Sequence, residues 1–121
     1  MVQQHRFNAP FQAGNHKKLP TKSASLEHQV QENDIIVMAS DGVWDNIYST
    51  HIKSCIDSQL KPNGELDDIQ TVANCITTSA EFMGYDPKYV SPFVVDARLQ
   101  NVKRYANKRG GKTDDITAIV S

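Results

Sequence analysis

What this 121-residue chain lacks narrows its class before any motif is considered. Its apolar residues come in short runs, none near the 18 or more needed to cross a bilayer as a helix, so a soluble protein with no membrane partner is expected. No basic excess is present: 13 Lys and Arg stand against 14 Asp and Glu, for a net charge of −1. A broad basic surface that would hold nucleic acid by counterion release is therefore not expected. Cysteine is scarce, with only Cys55 and Cys75. Both fall at apolar positions of helix-like stretches, which reads as reduced, packed thiols rather than a disulfide or zinc framework. The opening MVQQHRFNAPFQ has neither the apolar core of a secretory signal nor the pattern of a transit peptide. Internal repeats and low-complexity tracts are also missing. What remains, 39% hydrophobic and 22% charged residues, is the composition of one ordinary globular domain or a piece of one.

Periodicity supplies the elements. Residues 2–7 form a strand candidate, and Asn8 to Lys22, punctuated by Pro10, Gly14 and Pro20, reads as a loop. Ser25 to Val30 is a weaker strand candidate, and a turn at Asn33-Asp34 would join it as a hairpin to Asp34–Ala39. That last segment, DIIVMA, is β-branched, apolar and ended by Ser40-Asp41-Gly42, which predicts a central strand. From Ser49 to Leu60, Ile52, Cys55, Ile56 and Leu60 recur at helical spacing, with Ser49 or Thr50 as cap. Lys61 to Gly64 breaks this helix, and Asp67 to Met83 resumes the period, with Gly84 as the expected C-cap. Tyr85-Asp86-Pro87 and Ser91-Pro92-Phe93 then read as an irregular crossing, and Asp115–Val120 as a final strand.

The chemistry-bearing residues lie at strand ends. Asp41 follows an apolar strand and precedes a sharp turn on Gly42, a placement that suits a metal ligand on a rigid base and equally suits a helix or turn cap. Asp114 and Asp115 occupy the mirror position, after Gly110-Gly111 and before the last strand. Carboxylates fixed at two strand ends could converge on hard cations such as Mg²⁺ or Mn²⁺, which prefer oxygen ligands. Spacing alone does not show that convergence.

Three alternatives fail on context. Ala106 to Thr113 (ANKRGGKT) formally resembles a phosphate-binding loop, but a basic polar stretch precedes it and a strand follows, where a strand and a helix are required. Asp41 to Asn46 lacks the acidic ligands and glycine of an EF-hand loop. His5, His16, His28 and His51 sit in unrelated settings and read as solvated or surface histidines, so no nucleophile triad is visible.

Taken jointly, MASDGVWDNI (residues 38–47) and GGKTDDITAIV (residues 110–120) resemble the two C-terminal signature motifs of the PPM family, the type 2C metal-dependent Ser/Thr phosphatases. YDPKYVSPF (residues 85–93) and the opening QQHRFNAPFQ are similar to the subgroup of the T-cell-activation phosphatase and its mitochondrial homologues. The resemblance implies an α+β fold, with residues 1–121 as the C-terminal part of a four-layer α-β-β-α sandwich in which antiparallel sheets are flanked by helices. It implies that Asp41 and Asp114 ligate a two-metal Mg²⁺ or Mn²⁺ centre. Gly42, Asp45, Asn46 and Asp115 would support them. Asp45 and Asn46 would cap the turn behind Asp41, and Trp44 would belong to the core.

The family's remaining essentials, a phosphate-gripping Arg, a Glu-Asp pair and a first Asp-Gly motif, are not found in these residues. The implied parent activity is hydrolysis of phosphoserine or phosphothreonine in a phosphoprotein by a metal-activated water. This chain by itself is expected to be incomplete and inactive, and able to self-associate through exposed sheet edges. A non-catalytic interaction or regulatory module that keeps the fold is the alternative. Lys108, Arg109 and Lys112 would attract the phosphopeptide or form an ordinary solvated basic loop. An intracellular, mitochondrial setting follows from the subgroup resemblance alone.

Overall fold

The computed structural model describes residues 4–6, 9–10 and 25–121. The chain divides into two compact units, Met1–Gln31 and Glu32–Ser121. In the first, β1 (Gln4–Arg6) pairs antiparallel with β2 (Ala9–Pro10), with a register irregularity between Gln4 and Arg6. The expected strand at residues 2–7 is thus present in part, and residues 9–10 are strand rather than loop. The rest of the expected loop at Asn8 to Lys22 lies outside the described residues, as do the side chains of His5 and His16.

Residues 25–30 carry no regular structure, so the hairpin expected between them and the next strand does not form. Asn33 does make the turn, with a left-handed φ of 70° that asparagine tolerates. In the second unit, β3 (Val37–Ala39) pairs antiparallel with β4 (Ala118–Val120), and Val37, Met38 and Ala39 face Val120, Ile119 and Ala118. Reciprocal bonds between Ile36 and Ser121 (2.9 and 3.0 Å) and one from Ser40 N to Thr117 O (2.9 Å) extend the ladder at both ends. β3 was expected to be central; among the described residues β4 is its only neighbour.

The pleat sorts this sheet into two faces. Val37, Ala39, Ala118 and Val120 turn onto the core, while Ile36, Met38 and Ile119 remain exposed. The core is built by α1 (Asp41–Trp44), α2 (Ser49–Asp57) and α3 (Ile69–Gly84) through Val43, Ile52, Cys55, Val72, Ile76 and Ala80, with Ile47 from the link between α1 and α2. Each buried Val or Ile contributes about 1.5–3 kcal/mol to burial. The helical period placed α2 and α3 correctly, but their ends differ from expectation. Tyr48, not Ser49 or Thr50, caps α2; His51 Nδ1 accepts from Tyr48 N at 3.1 Å, which gives that histidine a structural role. Asp68 caps α3 by accepting from Gln70 N and Thr71 N, and Gly84 is its last helical residue, ahead of Tyr85 at the C-cap.

Two further expectations are overturned. Ser91-Pro92-Phe93 opens a helix, α4 (Pro92–Leu99), rather than an irregular crossing. Ser91 Oγ accepts from Val94 N at 3.3 Å, and proline at the first helical position lacks only an N–H that would have had no helical partner. Cys55 on α2 and Cys75 on α3 form a disulfide with Cα atoms 5.7 Å apart, so they are not free thiols. Their apolar helical positions were read correctly; the two faces that carry them pack against one another, which brings the sulfurs into bonding reach.

Candidate metal centre

Asp41 leaves β3 as the first residue of α1, and Ser40 takes the cap position, with extended φ and ψ of −70° and 166°. The cap reading of Asp41 therefore does not apply. Ser40 Oγ instead donates to Asp115 O (3.0 Å) and accepts from Thr117 N (3.1 Å), which ties the β3 exit to the β4 entry. Gly42 brings the two turns into close approach. A Cβ there would collide with the carbonyl oxygen of Asp115, so only glycine lets the two Asp-bearing turns meet. Asp115 thus takes part through its backbone, while its carboxylate is exposed.

Asn46 fixes the second junction. It is completely buried, and its Nδ2 donates to Gly42 O (2.9 Å) and Lys112 O (2.6 Å), while its Oδ1 accepts from Lys112 N (2.7 Å). The expected turn-capping residue is in fact a strut between α1 and the loop at 110–114. Gly110, at φ 123°, and Gly111 shape that loop; a Cβ on Gly111 would collide with Met83 O and Gly84 at the end of α3.

The loop so placed carries Lys112 into a ring of carboxylates. Its Nζ lies 2.8 Å from Asp45 Oδ2, 3.4 Å from Asp114 Oδ2 and 4.0 Å from Asp41 Oδ2. The Lys112 ammonium lies over the Phe93 ring, with Nζ 5.1 Å from the centroid. Asp114 Oδ1 accepts from Asp115 N at 2.8 Å, which orients the carboxylate. Burial raises the Asp45 pKa above 3.8, against the lowering hydrogen bond and charge of Lys112, and Asp41 and Asp114 add to the rise. Burial works against the charge of Lys112, but the hydrogen bond and charge of Asp45, with help from Asp41 and Asp114, outweigh it and raise its pKa above 10.5.

The structure thus brings together Asp41, Gly42, Asp45, Asn46, Asp114 and Asp115. Lys112, read from the sequence as an attractor of substrate, is engaged with the acids instead. Trp44 is 38% exposed rather than core, and its indole donates to Ala39 O at 2.9 Å. Lys108 lies over the Tyr105 ring, 5.6 Å from Nζ to centroid. The donor set is hard oxygen and fits a divalent cation, since Asp41 and Asp114 direct carboxylate oxygens at a point already held by a positive charge. Among the described residues no group of three or more His, Cys, Asp or Glu is arranged to enclose an ion. Beside Asp114 runs a cleft of about 300 Å³ lined by Thr77, Glu81, Tyr85 and Ile116.

No family model matches the chain, but individual proteins are similar to it. Over 99% of its length it is 38% identical to "Probable protein phosphatase 2C 80" of Arabidopsis thaliana, of which it covers 28%. It is 37% identical over 98% of its length to "Protein phosphatase PTC7 homolog" of Homo sapiens, covering 40% of that protein. The X-ray structure of the photosystem II phosphatase PBCP superposes with a TM-score of 0.80 at 29% identity, covering 98% of this chain and 47% of that one. Over nearly all of its length the chain is thus similar to part of proteins named as type 2C and PTC7-like protein phosphatases, and it spans less than half the length of these relatives.

Proposed function

We propose that the whole protein is a Mg²⁺- or Mn²⁺-dependent phosphatase acting on phosphoserine and phosphothreonine in proteins, and that Asp41 and Asp114 are two of its metal ligands. The observation that carries this reading is the meeting of the two motif carboxylates within 4.0 Å of one ammonium nitrogen, although they stand 73 residues apart in the sequence (114 − 41). Bound at these oxygens, divalent cations would neutralise phosphate charge and lower the pKa of an attacking water.

The chain's own residues set the geometry. Asp115 N fixes the Asp114 carboxylate, α1 presents Asp41, and Gly42 and Asn46 hold the two turns in register. The cleft beside Asp114, walled by Glu81 and Tyr85, is the place for the phosphopeptide. Residues 1–121 form the C-terminal part of one four-layer sandwich. The exposed apolar side chains of Ile36, Met38 and Ile119 support this, because they give the outer face of the β3–β4 sheet something to bury against a second sheet, or against another copy of the chain. With two ligands of a larger set, the chain alone binds metal weakly and turns over little or no substrate.

The test is phosphopeptide hydrolysis by the full-length enzyme in Mn²⁺. Asp41→Asn and Asp114→Asn should each abolish the metal-dependent rate, and an unchanged rate in either variant would remove that residue from the site. One observation favours a second reading, a non-catalytic module that keeps the fold: Lys112 already supplies a cation to the three carboxylates. Calorimetry that finds no heat of Mn²⁺ binding by the full-length domain would favour it.

A further inference from the structure

Lys112 is held as firmly as any residue of the site. Its backbone is clamped on both sides by Asn46, at 2.7 and 2.6 Å, and Gly111 before it is wedged against the end of α3. Its side chain is only 23% exposed, which does not suit a surface cation that gathers substrate from solution. The three carboxylates around it are not equivalent. Asp45 is nearest, at 2.8 Å, and just 22% exposed. Asp114 and Asp41 stand farther off, at 3.4 and 4.0 Å, and are 36% and 51% exposed. The ammonium is therefore anchored on one inner acid and shared with two outer ones.

We infer that Lys112 is an intramolecular counter-cation for Asp41 and Asp114: it holds the two carboxylates together before a divalent ion arrives and competes with that ion for them, with Asp45 as its tether. The inference rests on the metal reading of Asp41 and Asp114. Without a positive charge, three carboxylates this close repel one another, and the turns that carry them would spread. With it, an entering dication meets a like charge a few ångströms away, while Asp45 gives the ammonium a partner to keep after Asp41 and Asp114 are released. Lys112 is thus a positioning residue that lowers cation affinity in return for a preformed site.

This arrangement predicts opposite signs for two neighbouring substitutions. Lys112→Met keeps an unbranched apolar side chain beside Phe93 and removes the charge, so Mn²⁺ affinity should rise about tenfold, the scale of dication–ammonium repulsion at a few ångströms even in a water-like dielectric. Asp45→Asn removes the nearest carboxylate from Lys112 and leaves its ammonium drawn more strongly to Asp41 and Asp114, so affinity should fall. Lys112→Arg keeps the charge and should bind Mn²⁺ no more tightly than the original chain. A merely structural role would weaken binding in all three.

The experiment is titration of the chain and its variants with MnCl₂ in a calorimeter, with circular dichroism to confirm folding and Lys112→Gln as the substitute if the methionine variant does not fold. Tighter binding by Lys112→Met or Lys112→Gln, together with weaker binding by Asp45→Asn, supports the inference. Affinity that is unchanged or reduced in the charge-removing variants overturns it, even if Asp114→Asn abolishes binding and so upholds the metal reading. Heat from neither the full-length domain nor the chain and its variants overturns both.

Discussion

Replacing Asn46 by alanine should be among the most damaging single changes available in this chain. Three hydrogen bonds go at once, those from Nδ2 to Gly42 O and Lys112 O and that from Lys112 N to Oδ1, and the side chain that makes them is fully buried. At about 1 kcal/mol net per bond the loss is about 3 kcal/mol, and stranding interior carbonyls without their donor carries it toward 4. A domain of this size holds about 5–15 kcal/mol in total, and 1 kcal/mol moves Tm by about 4–8 °C. Asn46→Ala should therefore lower Tm by more than about 12 °C and the urea midpoint by roughly 2 M.

Trp44, the sole tryptophan, is 38% exposed and lies two residues away, so its fluorescence reports the transition directly. Asn46→Asp keeps the volume and the acceptor for Lys112 N but turns a carboxylate oxygen toward two carbonyls, and should cost at least as much. Asn63→Ala, in an exposed turn where its Oδ1 accepts from Glu65 N at 3.1 Å, serves as control and should stay within about 1 kcal/mol of the original. An Asn46→Ala loss below about 1 kcal/mol would refute the strut.

Three further outcomes follow from the same geometry. Gly42→Ala forces a methyl into the Asp115 carbonyl and should destabilise the chain by roughly 1–3 kcal/mol, and a urea melt within 0.5 kcal/mol of the original would contradict the close approach. Reducing the Cys55–Cys75 bond reopens a loop of 20 residues and should cost about 3 kcal/mol, seen as a lower Tm in dithiothreitol that Cys55→Ser/Cys75→Ser no longer shows. At alkaline pH the sign is set by two raised pKa values. The folded state holds the Lys112 proton more tightly than the unfolded state, so that stabilisation is complete below 10.5 and is lost as pH rises through the higher folded value. Tyr89, raised by burial and by Tyr48, resists ionisation and erodes stability above 10.0 as well. Urea stabilities across this range should fall less steeply for Lys112→Met than for the original chain, and equal slopes would refute the lysine contribution.

Local signals in the sequence carried most of the second unit. The β-branched runs ending at Ala39 and Val120 are strands, and the 3.6-residue recurrence of Ile52 and Cys55, then of Val72, Ile76 and Ala80, places two helices. α4 was missed although its signal was present, because Ser91-Pro92 is as good a helix start as it is a break. The Cys55–Cys75 pairing depends on which faces of α2 and α3 meet, and Tyr48 caps α2 without belonging to the residues that favour that position.

For the site, the motif pair singled out Asp41 and Asp114, and the structure brings both carboxylates within 4.0 Å of the Lys112 ammonium. What the motifs could not convey is the agent of that meeting. Lys112 stands two residues before Asp114 and reads as a solvated basic residue until Asn46 and Gly111 fold it back among the acids.

The most direct test of the central claim is Mn²⁺-induced broadening of the amide resonances of this chain. Paramagnetic loss centred on the amides of Asp41, Gly42, Asp114 and Asp115, and abolished by Asp114→Asn, is the result expected if these two turns hold the cation. Broadening centred elsewhere, on the acidic start of α3 at Asp67 and Asp68 for example, or a pattern indifferent to Asp114→Asn, would contradict it.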